Sequence, residues 1–259
     1  PAQLLLKTGQ CQLVQAAFFE NCRRAMNLVV IPAWSFIAHE QWAHAMSEAF
    51  FKTISAPPLG HDAVEKLHEE AGVILSAIGQ VSDEVEKRMF TYATRQFITV
   101  VGSWGGEGIH EALEGLLQGV VIQMWTAFEV MVGDLLTGIA TGFPSKFPGL
   151  AARSLNFASR ESFRNAYLRA FPPSLAAIHN PLNDLSVNAI CLLRNSFVHS
   201  GGLVDQIFKD GCQECGLTKW AGMAINTKFD LDGEIIETHV ERLISSSLSL
   251  LSSVDSQLI

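Results

Sequence analysis

An arginine, a carboxamide and an imidazole lie close together in Leu193-Arg194-Asn195-Ser196-Phe197-Val198-His199-Ser200-Gly201-Gly202. Phosphodiester cleavage uses these groups. A guanidinium stays charged and presents a planar fork to phosphate oxygens. An imidazole titrates near neutrality and can take up and return a proton. Cleavage of RNA needs no metal if the substrate's own 2′-hydroxyl attacks the adjacent phosphorus; His199 then manages the proton, Arg194 balances charge on the phosphorane, and Asn195 orients either partner. The run from Val187 to Phe197 reads as a mostly apolar helix, with Gly201-Gly202 as the permissive residues that follow a helix end. On such a helix Asn195 and His199 share a face, while Arg194 and His199, five apart, diverge by about 140° at roughly 100° per residue. Unless the last turn unwinds, one chain cannot easily aim both at one phosphate. The competing reading is structural: an arginine at a helix end and a histidine against the carbonyl pole of the helix dipole.

Other residues could serve the same chemistry. Glu129 interrupts an uncharged stretch, and a carboxylate on an apolar helix is costly without a partner; it either orients Arg194 or His199, or faces solvent or a structural cation. Lys146, Arg153, Arg160, Arg164 and Arg169 stand against one acid, Glu161, in an otherwise acidic chain. Arg160 and Arg164 lie four apart beside Phe163 and Tyr167, which reads as an RNA groove through Arg153, Arg160 and Arg164 or as a solvated basic face. Cys212-Gln213-Glu214-Cys215 lacks the second pair that structural zinc needs, so free thiols are expected there. His39-Glu40-Gln41-Trp42-Ala43-His44 has one residue too many for H-E-x-x-H, and the glycines at 102, 105, 106 and 108 lack a P-loop lysine. No metal and no cofactor is expected.

The elements that position these residues read as helices. Apolar spacing predicts helices over 11–31, 34–54 and 61–101, then a nearly all-apolar stretch over 107–140 that suggests a central helix buried by neighbours. A loop over 142–149, a short basic helix over 160–170, the motif helix over 182–199 and a last helix over 241–256 follow. The Asp232-Gly233 pair, between short alternating runs, predicts a small β-hairpin over 228–237 in this otherwise all-α chain. The glycine-rich stretch 102–108 marks a junction between an amino-terminal helical module, 1–104, and the motif-bearing domain, 105–259.

Composition narrows the functional classes. The chain has 259 residues, 48% hydrophobic and 17% charged, with a net charge of -8. Its acidity opposes nonspecific attraction to nucleic acid, so any RNA contact must be local. The apolar excess predicts an oligomer. No segment reaches the length of uncharged residues that a membrane span needs, because 115–128 stops at Glu129 and 25–39 contains Pro32. Five cysteines and no signal-like leader point to a reducing cytoplasm.

Arg194-Asn195-x-x-x-His199 resembles the R-x4-6-H signature of the HEPN superfamily of helical ribonucleases and nucleotide-binding domains. The upstream helix from Trp125 to Leu136 resembles the aromatic-rich, glutamate-bearing helix of many such proteins, and Gly202 to Phe208 is similar to the segment after the family histidine. The resemblance spans roughly residues 115–255. It implies an endoribonuclease whose sites face each other across a homodimer, which would relieve the angular divergence. It also implies a toxin or antiviral defence effector held in check by an inhibitory protein partner. A noncatalytic helical domain that binds RNA, a nucleotide or a protein is the alternative, and an assembly or regulatory bundle is a third.

Overall fold

The computed structural model describes residues 6–30, 114–148, 150 and 159–259. The helices expected over 34–54 and 61–101, the glycine-rich stretch 102–108 and Arg153 lie outside the described residues. Contacts group Pro1–Leu28 with Glu114–Ile259 as one compact unit and Val29–Leu113 as another. By this grouping the described residues 6–28 go with the unit that carries the motif helix.

That grouping has a polar basis. Helix α1, residues 9–30, starts after Thr8, whose carbonyl accepts from Gln12 N–H at 3.1 Å and whose hydroxyl accepts from Cys11 N–H at 3.4 Å. Asp255, close to the other end of the chain, accepts from the N–H groups of Lys7 (2.7 Å) and Thr8 (2.9 Å) and from the Thr8 hydroxyl. Burial pushes its carboxyl up, but these hydrogen bonds outweigh that and hold it below the usual carboxylate value. A depressed folded pKa adds stability above the unfolded pKa, and this is lost as pH falls through the folded value. Asp255→Asn is expected to lower stability by roughly 1.5–3 kcal/mol at neutral pH. The gap from the parent should close below about pH 4, as urea unfolding of both proteins across that range would show.

Helix α2, Glu114–Gly142, runs antiparallel to α1. A Cβ on Gly138 would meet Gln10, and one on Gly119 would lie 3.2 Å from Leu28, so both glycines allow close approach of the two helices. The helix is buried on most of its faces but not on all. Pairs at 120/121, 124/125, 127/128, 131/132, 135/136 and 139/140 are buried, while Gln123, Thr126, Val130, Asp134, Thr137 and Thr141 form an exposed stripe. An 18-residue window of α2 has a mean hydropathy of 1.4, and by length and composition alone the helix could cross a membrane. The stop at Glu129 read from sequence was too strict a criterion. Here the paired apolar positions pack into the protein core.

Helix α3, Arg160–Ala170, begins at Ser159, whose side chain accepts from Ser162 N–H at 3.1 Å. Its buried face packs Phe163 against Trp125 and Phe128 of α2, with ring centroids 6.2 and 5.8 Å apart. The Tyr167 hydroxyl donates to the Val132 carbonyl at 3.2 Å. Arg160 and Arg164 flank that buried face and are only partly buried, while Glu161, Asn165 and Leu168 face outward. Short α4, Ala176–Leu182, leads into the motif helix α5, Leu185–Ser200. The boundary expected at 182 falls instead at Asp184, whose carboxylate accepts from Ser186 N–H at 2.7 Å and starts a separate helix. Helix α6, Gln206–Cys215, and α7, Thr218–Ala221, follow.

The hairpin is absent. Asp232 caps the last helix, α8, Gly233–Leu258, accepting from Glu234 N–H (3.1 Å) and Ile235 N–H (3.2 Å), so Asp-Gly opens a helix instead of turning a strand. Lys219 donates to the same carboxylate at 2.6 Å and, with these bonds, holds it below its ordinary pKa. The apolar run before it is used differently. Phe229 is buried against Phe197, Phe208 and Trp220, and residues 226–229 pair with the segment just after α5 through Val204 N–H to Thr227 O (2.9 Å) and Phe229 N–H to Gly202 O (3.2 Å). Helix α8 packs along α4 and α5 and completes the helical layer that holds the motif helix.

Candidate functional site

Helix α5 stays regular to Ser200, where Gly201 takes the left-handed conformation (φ 62°) and both Gly201 and Gly202 donate to the Ser196 carbonyl. The last turn does not unwind. Its buried side, including Val187, Ile190, Leu193 and Phe197, fixes the rotation of the helix in the core. Asn188, Leu192, Asn195 and His199 fall on the remaining stripe, at successive helical spacings, and line one open cavity of about 660 Å³. Arg194 lines it too. Helix α2 contributes Trp125 and Glu129, α3 contributes Arg160 and Glu161, and α6 contributes Ile207, Asp210, Gly211 and Glu214. A Cβ on Gly211 would stand 2.8 Å from Leu192, so this glycine sets how closely the α6 wall approaches the motif helix.

The fold thus brings Arg194, Asn195, His199, Glu129 and Arg160 to one place in a single chain. Arg194 and His199 share the cavity without a hydrogen bond between them. Arg194 Nη1 donates to Asn195 Oδ1 at 2.9 Å, and Asn195 Nδ2 donates to Cys191 Sγ at 3.7 Å. The Nε of Arg194 is buried and, among the described residues, has no acceptor. An unsatisfied buried donor costs about 1–3 kcal/mol, a penalty that an incoming acceptor would relieve. His199 is exposed, and no described side chain holds its ring. Glu129 is half-buried and forms no ion pair among the described residues.

Arg164 does not join this cavity. Its Nε and Nη2 donate to the Leu182 carbonyl at 3.0 and 2.8 Å, and Nη2 also donates to Asn188 Oδ1 at 2.7 Å. It ties α3 to the end of α4 and to the motif helix. Burial lowers its pKa, and the neighbouring Arg160 charge adds to that effect. Arg160 Nη1 donates to the same Asn188 oxygen at 2.7 Å.

Sequence reasoning missed Asn188, Cys191, Asp210 and Glu214. For Asn188 a signal existed: it lies seven residues before Asn195, two turns along the same face as His199. The acids were not legible, because only packing of α6 brings Asp210 and Glu214 to the site. With Glu129 and Glu161 they outnumber the two arginines. All five cysteines are free and buried, and burial pushes the Cys212 thiol up to about 12 and Cys191 up to about 11. Among the described residues no three His, Cys, Asp or Glu side chains are grouped to hold a metal ion.

Compared with protein-family models, curated proteins and solved structures, this chain has no match.

Proposed function

We propose that this chain is a metal-independent endoribonuclease of HEPN-like type, acting as a toxin or antiviral effector. The observation that carries the reading is the convergence of Arg194, Asn195 and His199 with Glu129 on one cavity, including a buried guanidinium N–H that has no acceptor among the described residues. In the proposed reaction the His199 imidazole takes the proton of the 2′-hydroxyl as its oxygen attacks phosphorus. Arg194 stabilises the equatorial oxygens of the phosphorane. The imidazolium then returns the proton to the departing 5′-oxygen as the P–O5′ bond breaks, leaving a 2′,3′-cyclic phosphate and a 5′-hydroxyl. Incubation of the purified protein with mixed RNA in excess chelator tests this. New ends carrying 2′,3′-cyclic phosphate are expected; intact RNA, or cleavage leaving other ends, would overturn it.

Two features support a homodimer around this site. Val198, Leu203 and Ile207 are large, apolar and exposed (48, 43 and 79%) at the end of the motif helix and the start of α6. Ile207 also lines the cavity, so a second copy seated there would border the site. Ile207→Lys is expected to yield a monomer with reduced cleavage, and sedimentation velocity of parent and variant would show whether the parent is dimeric at all.

The excess of acids in the cavity favours a second reading, a noncatalytic domain that binds RNA, a nucleotide or a protein partner. Binding of RNA without any new ends would select it.

A further inference from the structure

Arg160 and Arg164 lie one turn apart on α3, and both donate to a single neutral oxygen, Asn188 Oδ1, at 2.7 Å. Two permanent cations are thus clamped together, and among the described residues neither is in a salt bridge with a carboxylate. Like charges held this close repel each other, and the partly buried position weakens screening by solvent. The arrangement borders a second cavity of about 370 Å³, lined also by Asn165, His179 and Asn183. Arg160 and Glu161 line both this cavity and the one containing His199, so the two adjoin. Among the described residues Glu161 is the second cavity's lone carboxylate, whereas acids predominate in the first.

We propose that the second cavity is a phosphate subsite for the strand that enters the His199 cavity: the paired guanidinium groups hold the phosphate flanking the cleaved linkage, so the ligand is single-stranded RNA spanning at least two phosphates. The inference rests on the ribonuclease reading for the identity of the strand. It accounts for two cations that their described neighbours leave without a salt bridge. It also supplies the local positive charge that an acidic chain needs in order to hold RNA. Asn165, exposed at the cavity edge, is placed to report on the charge there without touching the reacting groups.

The test uses the full chain and 2′-O-methyl oligouridylates of two, three and four residues, which cannot be cleaved because the attacking hydroxyl is blocked. Extension from two to three or four residues is expected to tighten binding about tenfold. The plot of log affinity against log salt should steepen by about 0.7 for the added phosphate. Asn165→Asp should remove most of that gain, and Asn165→Lys should enlarge it, with the two-residue ligand little affected by either. Binding that does not improve with length, or an improvement that Asn165→Asp leaves intact, would overturn the subsite while leaving the ribonuclease reading standing. Failure of every oligonucleotide to bind would overturn both. A length-dependent gain in a protein that cuts no RNA would keep the subsite and remove only the catalysis.

Discussion

His199→Ala is expected to reduce RNA cleavage by ~10²- to 10⁴-fold, the usual loss for a group that carries the reacting proton. The fold should survive, because the ring is exposed and no described side chain holds it. The motif helix keeps its own terminus through Gly201 and the Ser196 carbonyl, neither of which needs the imidazole. Circular dichroism and the thermal midpoint of the variant should therefore match the parent. Unchanged cleavage would end the catalytic assignment, and a variant that fails to fold would make His199 a structural histidine.

Arg194 should separate activity from stability in the opposite sense to an ordinary buried residue. Among the described residues its buried Nε has no acceptor, so removing this desolvated donor costs no hydrogen bond to them at that atom. Among the described residues, only the 2.9 Å bond from Nη1 to the exposed Asn195 is given up. Arg194→Met is expected to leave the unfolding midpoint unchanged or raised, while cleavage falls by ~10²- to 10³-fold through loss of charge stabilisation at the phosphorane. Arg194→Lys retains the cation but loses the fork, so a large loss of rate with little change in RNA affinity is expected. Full activity of the lysine variant would mean that diffuse positive charge suffices. Marked destabilisation of the methionine variant would mean that Arg194 serves the core.

A stable residue held in an unsatisfied state is the sort of local conflict that concentrates at functional sites. The contrast with Arg164 is instructive, since the two arginines looked alike as sequence. Arg164 spends Nε and Nη2 on Leu182 and Asn188. Only the turn from α4 into α5, which brings the Leu182 carbonyl beside α3, makes that difference.

Local chemistry was enough to read the all-α class, the helix starting at Arg160, a first helix over much of 11–31, the end of the motif helix at Gly201-Gly202, and the shared face of Asn195 and His199. Periodicity and the conformational freedom of glycine act within a few residues, so they are present in the chain before it folds. Asp232-Gly233 shows the limit of that reading. The same pair suits a tight turn or a helix start, and the outcome was set by Phe229 sinking between Phe197, Phe208 and Trp220 while the residues after Gly233 joined the long helix packed on α4 and α5. The placement of Glu129, Asp210 and Glu214 around His199, and the tie from Asp255 to Lys7 and Thr8, join residues of different helices, up to 248 positions apart. No spacing rule reaches that far. Such contacts are decided by which apolar faces bury one another, and the polar groups at the rims meet as a consequence.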